Sequence, residues 1–92
     1  MRYDWDPEKD ALNRRKHSLR LEQGIPVVED FNSISWVDDR FDYGEERILT
    51  LGRTFGDVLI VVTTTVHEDL TRIISVRRAE KHEKHWLSHG RP

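Results

Sequence analysis

The 92-residue sequence predicts an α+β fold: a four-stranded antiparallel sheet with two N-terminal helices and one C-terminal helix, in the order α-α-β-β-β-β-α. Three observations carry that expectation. A proline-marked helix start and helix-spaced apolar residues fill the first third. Four β-branched runs joined by short turn-like gaps occupy residues 33–77, and a helical composition returns near the end.

Asp6-Pro7 opens the first helix, since aspartate accepts from free first-turn amides and proline at the first helical position loses no hydrogen bond. It is expected over 7–17, ending in Lys16-His17, cations that suit the negative end of the helix dipole. Leu19, Leu21, Ile25, Val28 and Phe31 follow at helix-like intervals, but Gly24 and Pro26 interrupt them, so a short or broken helix is expected near 22–30. The strands are SISWV (33–37), RILTLGR (47–53), VLIVVTTTV (58–66) and TRIISVR (71–77). Their gaps at 54–57 and 67–70 are hairpin-sized and favour antiparallel neighbours. Val58–Val66 begins apolar on both faces and reads as a central strand, and a helix over 79–89 closes the domain before Gly90.

At this length the chain is expected to be one domain, residues 1–92, which buries only about 60–65% of the surface its unfolded form exposes. Three tryptophans, Trp5, Trp36 and Trp86, with the Val58–Val66 run supply more apolar mass than disordered chains carry. Cysteine is absent, which excludes disulfides, thiolate metal sites and a cysteine nucleophile. The N-terminus has no apolar h-region, and VLIVV at 58–62 is far short of the roughly 20 residues that span a bilayer, so a cytoplasmic address without membrane contact is expected.

The net charge of −2 seems to exclude a nucleic-acid partner, but the charges are segregated. Residues 29–46 hold seven acids against Arg40. Residues 14–20 hold Arg14, Arg15, Lys16 and Arg20 with no acid, and residues 71–92 hold six cations against Glu80 and Glu83. Basic segments brought together by the fold hold a polyanion despite the overall balance; kept apart, they are ordinary solvated faces.

Period-two alternation in TRIISVR puts Thr71, Ile73, Ser75 and Arg77 on one face and Arg72, Ile74, Val76 and Arg78 on the other. An arginine on a sheet face must pair, reach solvent or meet an anion. The acids at 38–46 are one set of partners, and a phosphate is the other, for which Arg77 with Ser75 offers a planar fork and a hydroxyl. His82, His85 and His89 share a helical stripe with zinc-ligand spacing, but no second cluster completes a site and Lys81 and Lys84 repel a dication, so no metal is expected. Trp86 on that helix reads as a core or partner anchor rather than a base-stacking platform. With no Gly-rich phosphate loop, GxSxG or HExxH, no cofactor is expected.

Trp5-Asp6-Pro7-x-Lys9, Asn13-x-x-Lys16-His17, Asp30, Tyr43-Gly44-Glu45-Glu46-Arg47, Gly52-Arg53 and Arg72-Ile73-Ile74-Ser75-x-Arg77-Arg78-Ala79, taken in order, resemble the BrnT family of bacterial type II toxins over about residues 3–86. The resemblance implies a RelE-like ribonuclease toxin without cofactor, which acts on RNA. It also implies a hetero-oligomer with a BrnA-like ribbon-helix-helix antitoxin, through which alone operator DNA is bound. The family usually has glycine where this chain has Ser18, and lacks a proline at Pro26.

Metal-free RNA cleavage needs cations for the phosphoryl charge and acid and base groups for the two oxygens. Arg77 and Arg72 are the expected charge stabilisers, with Lys16 and His17 at the same site and His17 suited to proton transfer. Glu46, beside Arg47, is the alternative base; Arg14, Arg15, Ser75 and Arg78 are expected to bind substrate. The competing reading is a non-enzymatic module that docks a DNA-binding partner and acts as co-repressor.

Overall fold

The computed structural model describes residues 1–40 and 42–92. Its elements are β1 (Arg2–Asp4), α1 (Pro7–His17), a 3-10 turn (Leu21–Gly24), α2 (Ile25–Val28), β2 (Ile34–Val37), β3 (Ile48–Thr54), β4 (Asp57–His67), β5 (Leu70–Arg78) and α3 (Lys81–His89). The sheet has five strands in the order β1-β5-β4-β3-β2. All neighbours are antiparallel except β1, which runs parallel to β5. The expected four-stranded antiparallel sheet is therefore corrected to a five-stranded mixed one. The added strand is three residues long, too short for any periodicity. It is held by the Arg2 amide donating to the Asp69 carbonyl (2.7 Å) and by the Arg2–Asp69 and Arg72–Asp4 ion pairs.

Helix α1 has its expected bounds. Asp6 Oδ1 accepts the Glu8 amide at 2.9 Å, and the helix stops where Ser18 turns left-handed (φ 58°), its amide donating to the Arg14 carbonyl. A serine there costs about 1–2 kcal/mol over glycine. The second helix is broken as expected, into a 3-10 turn and a single α-turn, with Pro26 near the α2 start where it needs no donor. Gly24 lets that turn press onto the sheet: a Cβ there would meet Val61 Cγ1 at 2.8 Å.

Two cores sandwich the sheet. Leu19, Leu21 and Val27 pack with Leu59, Val61, Ile73 and Val76 on one face; on the other, Leu49, Leu51, Ile60 and Ala79 pack with Trp36, Trp86 and Leu87. Residues Ile73 and Val76 are three apart yet share a core because of a bulge: register passes from Val62↔Ser75 to Thr63↔Ile73, leaving Ile74 unpaired. Strict alternation is thereby corrected. Val76 and Arg78 join Ile73 on the α1 side, while Ser75 and Arg77 lie opposite Val62 and Ile60 on the α3 side.

The free edge of β5 is closed by one side chain. Asn13 Oδ1 accepts the Val76 amide (3.1 Å), and its Nδ2 donates to the Val76 carbonyl (2.9 Å) and the Leu19 carbonyl (2.8 Å). The Asn13 amide thus acts as a one-residue strand, buried at 5% exposure. Removing it leaves backbone groups of a buried residue without partners. The variant Asn13→Ala is expected to lose about 2–4 kcal/mol of stability, read by urea unfolding; a loss under ~0.5 kcal/mol, the range of neutral surface changes, would show that the edge is not closed this way.

Candidate active site

Asn13 decides which face of α1 looks at β5. Lys9 and Lys16 lie four before and three after it on the same face, with His17 next in the chain. Strand β1 pairs only with Leu70–Arg72, so from Ile73 onward the β5 edge faces α1 rather than another strand. Between them lies a cleft of about 210 Å³ lined by Lys9, Leu12, Asn13, Lys16, His17, Ile74 and Ser75. Lys9 and Ile74 also line a second cleft, of about 300 Å³, whose other walls are Asp4, Trp5, Asp6, Arg72 and Ile73. The two form one groove along α1.

At the Ser75 end the two basic segments meet. The Arg78 guanidinium donates to the His17 carbonyl at 2.8 Å and pairs with Asp57 at 3.5 Å. Burial, then the positive charges of Lys16, Arg77 and Arg78, hold the His17 pKa below its ordinary 6.5. Its neutral form, the one able to accept a proton, therefore persists to lower pH than in a free histidine. Neither Lys9 nor Lys16 has an ion-pair partner among the described residues.

The expected arginines are engaged within the chain. Arg77 binds Glu83 of α3 through both terminal nitrogens at 2.8 Å, and that pairing lowers the Glu83 pKa from its ordinary value. Arg72, at the far end of the groove, binds Asp4 at 2.9 and 3.0 Å. The Glu46 carbonyl accepts from the hydroxyl of Thr64, which lies opposite Arg72, so Glu46 and Arg47 stand near that far end and not at His17. Arg47 lies 3.9 Å over the Tyr43 ring, in a loop organised by Asp38. The Asp38 carboxylate accepts from Arg40 and from the Tyr43 hydroxyl, and the Arg40 hydrogen bond above all draws its pKa down to about 2. Arg14 turns back towards Asp10 at 3.9 Å, and Arg15 is exposed on the outer side of α1.

The family model described as "Ribonuclease toxin, BrnT, of type II toxin-antitoxin system" matches residues 5–83. The chain belongs to the BrnT family. Among solved structures, the crystal structure of the Brucella abortus ribonuclease toxin BrnT is similar in fold, with a TM-score of 0.65 at 21% identity, covering 88% of this chain and 99% of that one. A search of curated proteins finds no match. The BrnT match ends at Glu83, so most of α3 lies beyond it.

Of the expected site residues, the groove gathers Lys16, His17 and Ser75, with Arg78 touching His17 and the charge of Arg77 reaching it. Arg72 lines the same groove further along. Lys9 was missed as a site residue, although its i, i+4, i+7 spacing with Asn13 and Lys16 places it on their face. Removing one neighbouring positive charge favours imidazolium, so Lys16→Gln is expected to raise the His17 pKa, followed by NMR titration of its ring protons; an unchanged or lowered value would place Lys16 away from the ring.

Proposed function

We propose that this BrnT-family chain acts as a single domain in the cytoplasm, as a metal-independent endoribonuclease whose expression arrests growth. A BrnA-like ribbon-helix-helix antitoxin neutralises it, and operator DNA is held only by the complex. The observation that carries the reading is the convergence of Lys16, His17, Ser75 and Arg78 at one end of the α1–β5 groove, with Lys9 continuing it.

In this reading the neutral His17 imidazole takes the proton of the ribose 2′-hydroxyl. The freed oxygen attacks the adjacent phosphorus, and the bond to the 5′ oxygen breaks, leaving a 2′,3′-cyclic phosphate. Lys16 donates a proton to the departing oxygen, and the charge of Arg78 meets the phosphoryl oxygens where negative charge accumulates, with Ser75 lining the cleft beside them. Arg77, bound by Glu83, lends positive potential without direct contact, while Lys9 and Arg72 hold the strand along the groove. Glu46 stands too far along β5 to share this step, which leaves His17 as the base. Support for metal independence lies in the donor set around His17, cationic where a dication would need carboxylates.

Purified free of antitoxin and given RNA in EDTA, the parent is expected to cleave, and His17→Ala to lose about 10²-fold or more in kcat, the scale of acid–base catalysis. Cleavage abolished by EDTA, or undiminished in His17→Ala, would overturn the site. Growth arrest on expression covers a ribosome-dependent activity.

A further inference from the structure

The outer face of α3 is not used by the chemistry above. Trp86 meets Trp36 edge-on, with ring centres 5.7 Å apart, and His82 stands edge-on to Trp86 at 5.5 Å. His85 and His89 are stacked at 3.8 Å, and the Arg91 guanidinium lies 4.4 Å over Trp36. An open cleft of about 540 Å³ is bounded by Lys81, His82, His85 and Trp86. Trp86 is partly buried against the second core, so it is an anchor as expected, but its remaining surface forms one wall of this cleft.

The chemistry of that cleft is aromatic walls with a cationic rim. Lys81, Lys84 and Arg91 supply positive charge; of the two carboxylates at the helix start, Glu83 is paired with Arg77, and Glu80 stands exposed 3.6 Å from His82. Flat π surfaces beside exposed cations suit an unpaired base whose phosphates pass over the rim. The cleft lies on the α3 side of the sheet, where Trp86 packs on Trp36 of β2, opposite the α1 groove.

We propose that this face of α3 is a base-binding subsite for single-stranded RNA, separate from the groove at His17. The proposal rests on the ribonuclease reading for its ligand. Two of the four residues that bound the cleft, His85 and Trp86, lie past the stretch that matches the family.

The test is anisotropy of a fluorescein-labelled 2′-O-methyl RNA dodecamer, which binds without being cut, with cleavage of unmodified RNA in EDTA run beside it. The exposed pair Lys81→Gln with His85→Ala is expected to weaken binding about tenfold, the range of one lost stacking contact, with an unchanged melting curve. Because Trp86→Ala risks the core, Trp86→Phe is the companion and is expected to stay within threefold of the parent. A parent that does not bind the dodecamer, or a double variant that binds as well as the parent, overturns the subsite. So does a double variant that loses antitoxin instead, which would make the face a protein interface. Cleavage with variant-independent binding removes the subsite alone, and variant-sensitive binding without cleavage removes the ribonuclease reading alone.

Discussion

The groove exists because Asn13 pairs with Val76. An edge strand leaves amides and carbonyls that must find partners, and past Arg72 the outward-pointing backbone groups of β5, those of Val76 among them, face that demand without β1. Closing the edge with one helix side chain rather than another strand brings α1 alongside β5 and fixes its rotation. Lys9, Lys16 and His17 then have no choice of direction. The same side chain holds the Leu19 carbonyl, and Asp10 accepts the Leu21 amide at 2.8 Å, so the turn after the left-handed Ser18 is anchored to the helix it leaves. A helix face rich in charge and poor in apolar residues is docked by polar groups, which suits a surface that must keep its cations open to solvent.

Ion pairing sorts the cations into two kinds. Arg77 and Arg72 sit in bidentate pairs with Glu83 and Asp4, where they tie α3 and β1 to β5. Glu83 is buried and also accepts the Glu80 amide at 2.7 Å, so removing Arg77 would strand a buried carboxylate and loosen the start of α3. A lost activity in Arg77→Ala would therefore not by itself separate a chemical role from a structural one. Lys9 and Lys16 have no such duties and are the cations a phosphate can recruit. The opening puzzle of a net charge of −2 resolves in the same terms: acids such as Asp38, Asp4 and Glu83 are spent on internal pairs.

Local signals were legible in the sequence and non-local ones were not. Asp6-Pro7 and the terminal cations marked α1 to the residue, and Gly24 with Pro26 marked the break that follows, since caps and breakers act on their immediate neighbours. Strand β1 is three polar-flanked residues that are a strand only because β5, 66 or more positions later, offers an edge. The bulge at Ile74 leaves no mark in the sequence because Ile73 and Ile74 are both apolar and fit either register. At the site, Lys16-His17 and Ser75 could be read, but Arg72 and Arg77 could not share one phosphate: five residues of strand place them about 16 Å apart.

On the proposed ribonuclease reading, RNA lies between α1 and the Asn13-closed edge of β5. The direct measurement is an amide chemical-shift titration with a non-cleavable 2′-deoxy dinucleotide. Shifts are expected at Lys9, Lys16, His17, Ile74 and Ser75. Shifts centred on Glu46 and Arg47, with that groove silent, would place RNA away from α1.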